Sequence, residues 1–104
     1  MVQKIIWSAQ AENNLREIKE YIEKDSLFYA ERLVKQIYDK VTVLYQHPEI
    51  GKPISTTEEI ILRRILHKSY RIIYIIKSDT AFIVAVYHQA RQLPASFEID
   101  NLFQ

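Results

Sequence analysis

The sequence predicts an α+β domain of order β-α-α-β-β-β, with an antiparallel helix hairpin packed on a small, twisted, mostly antiparallel sheet. Three observations predict it. Residues 9–46 repeat apolar side chains at helical spacing, and residues 60–88 form three runs rich in β-branched and aromatic residues. Only a few residues join the two helical stretches, which makes them antiparallel neighbours whose apolar faces need a sheet to cover them. A chain of 104 residues that is 48% hydrophobic and 26% charged folds as one domain, here taken as 1–104, and is neither disordered nor collagen-like.

The elements are taken in chain order. Lys4 to Trp7 is a short apolar run and reads as a strand, with Trp7 as a core anchor and Ser8 placed to cap the first helix. From Ala9 to Lys24, the residues Ala11, Leu15, Ile18 and Ile22 share one helical face. The opposite face pairs Glu12 with Arg16 and Glu20 with Lys24 at i,i+4, as on a solvated surface. A second helix runs from Leu27 to Gln46 with Asp25 or Ser26 as cap, and Ala30, Leu33, Val34, Ile37, Val41 and Leu44 form its stripe. His47-Pro48 stops it, because the residue before a proline is pushed out of the α region.

Pro48 to Glu59 reads as a polar loop holding the single glycine, Gly51. Ile60–Leu66, Tyr70–Lys77 and Ala81–His88 then form an antiparallel meander, with Ser78-Asp79 as a tight turn. Tyr70 and Tyr74 share one strand face and read as core or rim packing. Beyond Arg91, residues 92–104 form a tail that packs on something or a short last helix, through Phe97, Ile99, Leu102 and Phe103.

Composition excludes several classes of function. The chain has no cysteine, hence no disulfide framework, thiolate nucleophile or Cys-based zinc site, which fits a reducing compartment. His47, His67 and His88 are scattered without carboxylates at ligand spacing, so no metal is expected. A lone glycine argues against a phosphate-binding loop, and no cofactor or small-molecule ligand is expected. The first residues lack the apolar core of a signal peptide and nothing reaches the length of a membrane span, so the expected location is the cytoplasm.

Charge is unevenly distributed. The formal net charge is +1. Residues 1–59 carry 8 basic and 10 acidic side chains, whereas residues 60–91 set Arg63, Arg64, Lys68, Arg71, Lys77 and Arg91 against Asp79 alone. Residues 92–104 add only Glu98 and Asp100. A basic meander on an otherwise acidic chain points to an anionic partner, either nucleic acid or an acidic protein surface.

An ordered set of residues carries a family resemblance. Trp7-Ser8 precedes Ala11, Leu15, Ile18 and Tyr21-Ile22, and Ala30 and Ile37 precede His47-Pro48-Glu49-Ile50-Gly51-Lys52-Pro53. Leu62-Arg63-Arg64, Tyr70-Arg71-Ile72-Ile73-Tyr74 and Val86-Tyr87-His88 leading to Arg91 complete it. Over nearly its whole length the chain resembles the RelE/ParE superfamily of small bacterial toxins from type II toxin-antitoxin systems. The resemblance implies a cognate antitoxin, which physics also accommodates: a helix can lie in an apolar groove and an extended segment can join a sheet edge.

The superfamily divides by target. RelE-like members cleave mRNA on the ribosome, and ParE-like members poison DNA gyrase. Metal-free RNA cleavage needs a base, an acid and cations for the phosphorane. For that chemistry the candidates are His88, Arg64 and Arg71, with Arg63 and Arg91 as further phosphate clamps and Tyr87 assisting. Ile54-Ser55-Thr56-Thr57 lacks the carboxylate or lysines that RNA-cleaving relatives often place there, and the segment from Val86 to Pro94 looks more like ParE members. The resemblance therefore implies a ParE-like gyrase inhibitor without catalysis of its own, with Arg63, Arg64, Arg71, His88 and Arg91 as target contacts. The alternatives are a RelE-like endoribonuclease and a non-toxic binding relative of the same fold.

Overall fold

The computed structural model describes residues 1–57 and 59–90. Strand β1 (Lys4–Trp7) leads into α1 (Ala9–Glu23) and α2 (Leu27–Val41), and a 3₁₀ turn (Thr42–Tyr45) comes next. Then come β2 (Lys52–Thr56), β3 (Ile61–His67), β4 (Tyr70–Lys77) and β5 (Thr80–His88). The five strands form one sheet in the order β1-β5-β4-β3-β2. β1 runs parallel to β5 and every other pair is antiparallel. The α+β hairpin-on-sheet architecture expected from the sequence is the one found.

Local chemistry sets the helix ends. The Ser8 side chain accepts from Ala11 N–H to cap α1, and the Ser26 side chain accepts from Tyr29 N–H to cap α2, which decides between Asp25 and Ser26. The α-helical part of the second helix ends at Val41 rather than Gln46. Val41, Thr42 and Val43 are β-branched, and Thr42 Oγ1 donates back to the Asp39 carbonyl at 2.6 Å, so the last turn tightens into a 3₁₀ form.

Two expectations are corrected. The stretch from Pro48 to Glu59 is not all loop, because β2 lies within it, so the order is β-α-α-β-β-β-β. β2 is an edge strand and mostly exposed on both faces, so it lacks the apolar alternation of an inner strand and tolerates Pro53. On α1 the ion pair found among the described residues is Lys19–Glu23 at 3.6 Å, in place of Glu12–Arg16 and Glu20–Lys24. Arg16 donates to Asn13 Oδ1 instead, and Lys24 lies over the Tyr21 ring. On an exposed surface these arrangements differ by only tenths of a kcal/mol. The tail expected over 92–104, and Arg91, lie outside the described residues.

Both sheet faces are apolar. The helix-side core joins Ala11, Leu15, Leu33, Ile37, Val41 and Leu44 to Ile65, Ile72, Tyr74, Ala81, Ile83 and Val86, with Trp7 packed against it and its ring 4.6 Å from that of Tyr38. The outer face carries a second buried cluster of Leu62, Ile73, Ile75, Val84, Ala85 and Tyr87, to which no helix residue contributes. A bulge in β5 creates part of it. Ile73 pairs with Ala85 but Tyr74 pairs with Ile83, so Val84 is the extra residue and Val84 and Ala85 both join the outer cluster.

α1 also protects the edge of β5 that β1 leaves uncovered. β1 pairs with β5 only as far as Ile83. Past that point Ser8 N–H donates to the Ile83 carbonyl, Ser8 Oγ donates to the Val84 carbonyl at 3.1 Å, and Val86 N–H donates to Asn14 Oδ1 at 3.2 Å. Gln10 adds a bond to the Tyr87 hydroxyl at 2.7 Å. Ser8, Gln10 and Asn14 thus replace a missing strand.

Candidate functional site

Strand register distributes the basic residues between the two faces. Arg64 of β3 lies opposite Ile73 of β4 and opposite Lys52 of β2. Arg71 of β4 lies opposite Leu66 of β3 and Tyr87 of β5. Side chains alternate along a strand, so Arg64, Arg71 and Tyr87 share the outer face, and Arg64 and Arg71 are diagonal neighbours with Cα atoms about 7–8 Å apart. Lys52 flanks them on β2 and Lys77 on β4. Arg64 and Arg71 are half-buried beside the outer apolar cluster, and none of Arg71, Lys77, Phe82 and Tyr87 is without a partner. Two guanidinium groups at that spacing on an apolar floor suit carboxylates or phosphates, which they can grip bidentately.

Arg63 has different work. Its Nη1 donates to the Gly51 carbonyl at 2.9 Å and to the Glu49 carbonyl at 3.2 Å. The same loop is held by Tyr74, whose hydroxyl donates to the Pro48 carbonyl at 2.8 Å and accepts from Gly51 N–H at 2.9 Å. A Cβ on residue 51 would sit 2.5 Å from the Tyr74 hydroxyl oxygen and 2.8 Å from the Arg64 carbonyl oxygen, so only glycine fits. Burial raises the Tyr74 phenol above its ordinary pKa, an effect the Gly51 bond and the Arg63 charge partly offset. Arg63 and Tyr74 therefore brace the 47–51 loop, which delivers Lys52 to the sheet.

His88 lies on the other side of the sheet from Arg64 and Arg71. It pairs with Tyr70 across β4 and β5, and the two rings meet edge-on at 5.4 Å. Its Nδ1 accepts from Ala90 N–H at 3.1 Å. With Asn14, Glu17, Ile18 and Tyr21 of α1 these residues line an open cleft of about 280 Å³. Burial, with the nearby Tyr29 and Tyr21, raises the Tyr70 phenol. The five site residues inferred from sequence thus separate: Arg64 and Arg71 come together, Arg63 is a loop brace, His88 belongs to the α1 cleft, and Arg91 is outside the described residues. Sequence reading missed Lys52, hidden in what read as loop, and Glu17, whose place in the His88 cleft depends on how α1 crosses β5. Among the described residues no group of three or more His, Asp or Glu could hold a metal ion, and no helix is long and apolar enough to cross a membrane.

Comparison with known proteins decides the family. The model for the ParE toxin of the type II toxin-antitoxin system parDE matches residues 5–93. The chain belongs to the ParE toxin family. A curated protein of Sinorhizobium fredii (strain NBRC 101917 / NGR234), named "Putative toxin Y4kP", is 38% identical over 93 residues, covering 88% of this chain and 93% of that protein. A solved structure titled "Chromosomal ParDE TA system from P. aeruginosa" superposes with a TM-score of 0.66 at 18% identity, covering 85% of this chain and 96% of that one. At that identity the last match speaks for the fold. The ParE family is one of toxins that have antitoxin partners, and the helix hairpin, sheet and basic outer face belong to a protein of that kind.

Proposed function

We propose that this ParE family toxin arrests growth by inhibiting DNA gyrase, that the outer sheet face makes the contact, and that a cognate antitoxin neutralises it. One observation carries the choice of target over RNA cleavage. His88 and the Arg64–Arg71 pair lie on opposite faces of the sheet, so the base and the cations that RNA cleavage needs at one phosphate are not assembled. A binding mechanism has no such requirement. Arg64 and Arg71 supply charge and planar donors, and Leu66, opposite Arg71 on the same face, is exposed and supplies apolar area.

Purified protein should abolish gyrase supercoiling or make gyrase accumulate cleaved DNA. In a bacterial host without antitoxin, labelled thymidine incorporation should fall before methionine incorporation. Methionine falling first would replace this reading with the ribonuclease, and an inert but folded protein in both assays would leave a non-toxic binding relative. Arg64→Ala with Arg71→Ala should weaken gyrase inhibition by at least about tenfold, the cost of removing charged hydrogen bonds at a contact surface.

A further inference from the structure

We propose that β1 pairs edge to edge with β1 of a second copy of this chain, antiparallel across a two-fold axis at Ile6, so that two sheets become one. The free edge of β1 carries the first argument. Lys4 N–H donates to the Asp79 carbonyl and Ser8 N–H to the Ile83 carbonyl, so the even-numbered residues of this segment turn their backbone groups toward β5. Direction alternates along a strand, so the N–H and C=O of Ile5 and Trp7 point away from β5, and among the described residues they have no ladder partner. The two edges of the sheet are built differently. β2, at the far edge, carries Lys52, Pro53, Ser55 and Thr56 and a register shift between Pro53 and Ser55, all features that keep a further strand off. β1 reads Lys-Ile-Ile-Trp, with its one charge at the start and no irregularity in its register. Ile6 is 44% exposed there. Tyr38 and Tyr45, 42% and 41% exposed, flank an open groove of about 290 Å³ that Ile5 and Trp7 also line.

A second copy fits this edge because the edge is complementary to itself. With Ile6 facing Ile6, Ile5 of each chain lies opposite Trp7 of the other, and every outward N–H and C=O of these residues finds a partner. Other centres fail. Pairing about Ile5 would need the Gln3 N–H, which already donates to the Asp79 carbonyl, and pairing about Trp7 would need Ala9, which opens α1. The Ile6 register also sets Lys4 beside the neutral Ser8 of the second copy, away from its own twin. It places Ile6 at the close, non-hydrogen-bonded position, where apolar β-branched side chains pack across strands. Both helix layers, with Tyr38 and Tyr45, then lie on one side of the joined sheet and both Arg64–Arg71 faces on the other. A contact of this size sits at the small end of specific interfaces, with dissociation constants of about a micromolar or weaker. The pairing does not rest on the gyrase reading.

Sedimentation equilibrium of the full-length protein should show monomer passing into dimer over about 1–100 μM. Ile6→Lys places two like charges face to face at the axis and should weaken association at least about tenfold, with the far-ultraviolet dichroism of a folded chain. A protein that stays monomeric throughout would overturn the proposal, as when a strand of another protein or the chain's own residues 92–104 occupy the edge. A dimer indifferent to Ile6→Lys would overturn it too. Because the chain has no cysteine, Ile6→Cys reports the contact independently of that variant. The Cα atoms of a non-hydrogen-bonded pair lie about 4.5 Å apart, within reach of a disulfide, so mild oxidation should give a covalent dimer. Thr56→Cys on the guarded edge should cross-link far more slowly, and equal rates for the two variants would sink the assignment to β1.

Discussion

A single phenol shows how one residue can hold a site in place from a distance. Tyr74 is completely buried, and its hydroxyl serves a carbonyl and an amide of the 48–51 loop. Tyr74→Phe keeps the ring but leaves both loop groups without that partner, which should cost about 1–3 kcal/mol. Thermal melts of the variant measure this directly. His67 offers a pH dependence. Its Nε2 lies 3.1 Å from Gln36 Oε1, and burial, then Lys68 and Lys40, push its pKa below the ordinary 6.5. The unfolded chain therefore binds the proton more readily than the folded one, so the His67 contribution is complete above pH 6.5 and is lost as pH falls below it. His67→Gln should flatten this part of the dependence of Tm on pH, and identical profiles for the two proteins would refute the assignment.

At the scale of elements, the junction of β1 with α1 decides whether helix and sheet stay in register. Ser8 caps α1 through its accepting oxygen while its proton goes to the Val84 carbonyl in the β5 bulge. Ser8→Ala removes both bonds and should cost about 1–2 kcal/mol, read as a lower denaturant midpoint at unchanged slope. The hairpins of the meander turn on Lys68-Ser69 and Ser78-Asp79, with Lys68 and Ser78 at φ of 53° and 57°. Only Ser78-Asp79 is legible as a turn in the sequence. Neither turn contains the glycine that would mark it, so strand boundaries shift by a residue. The same weakness of signal hides β2, whose Lys52-Pro53 start resembles a loop because an edge strand buries little.

At the scale of the whole molecule, basic residues gather in the meander, while the two helices are close to neutral. Attraction of an anionic partner to that sheet is screened by salt with a Debye length of about 10 Å at 0.1 M. Gyrase inhibition should weaken as salt rises, and Arg64→Ala with Arg71→Ala should flatten the dependence. A salt response unchanged by the pair would place the contact elsewhere. The Lys35–Asp39 pair at 3.1 Å lies exposed on α2 and should contribute little to either effect.

Periodicity and order were enough for the sequence by itself to determine the α+β class, the helix hairpin, the three-strand meander and the toxin family, because these rest on which side chains recur along the chain. Residues 11, 15, 18 and 22 share a face whatever they pack against. Only the tertiary structure decided that Arg64 and Arg71 meet while Arg63 turns into a loop brace and His88 faces α1. Neighbouring residues on a strand point to opposite faces, and register, bulges and helix crossing then fix their company. A bulge at Val84 or a strand at Lys52 shifts that assignment by one residue, which is enough to move a side chain through the sheet.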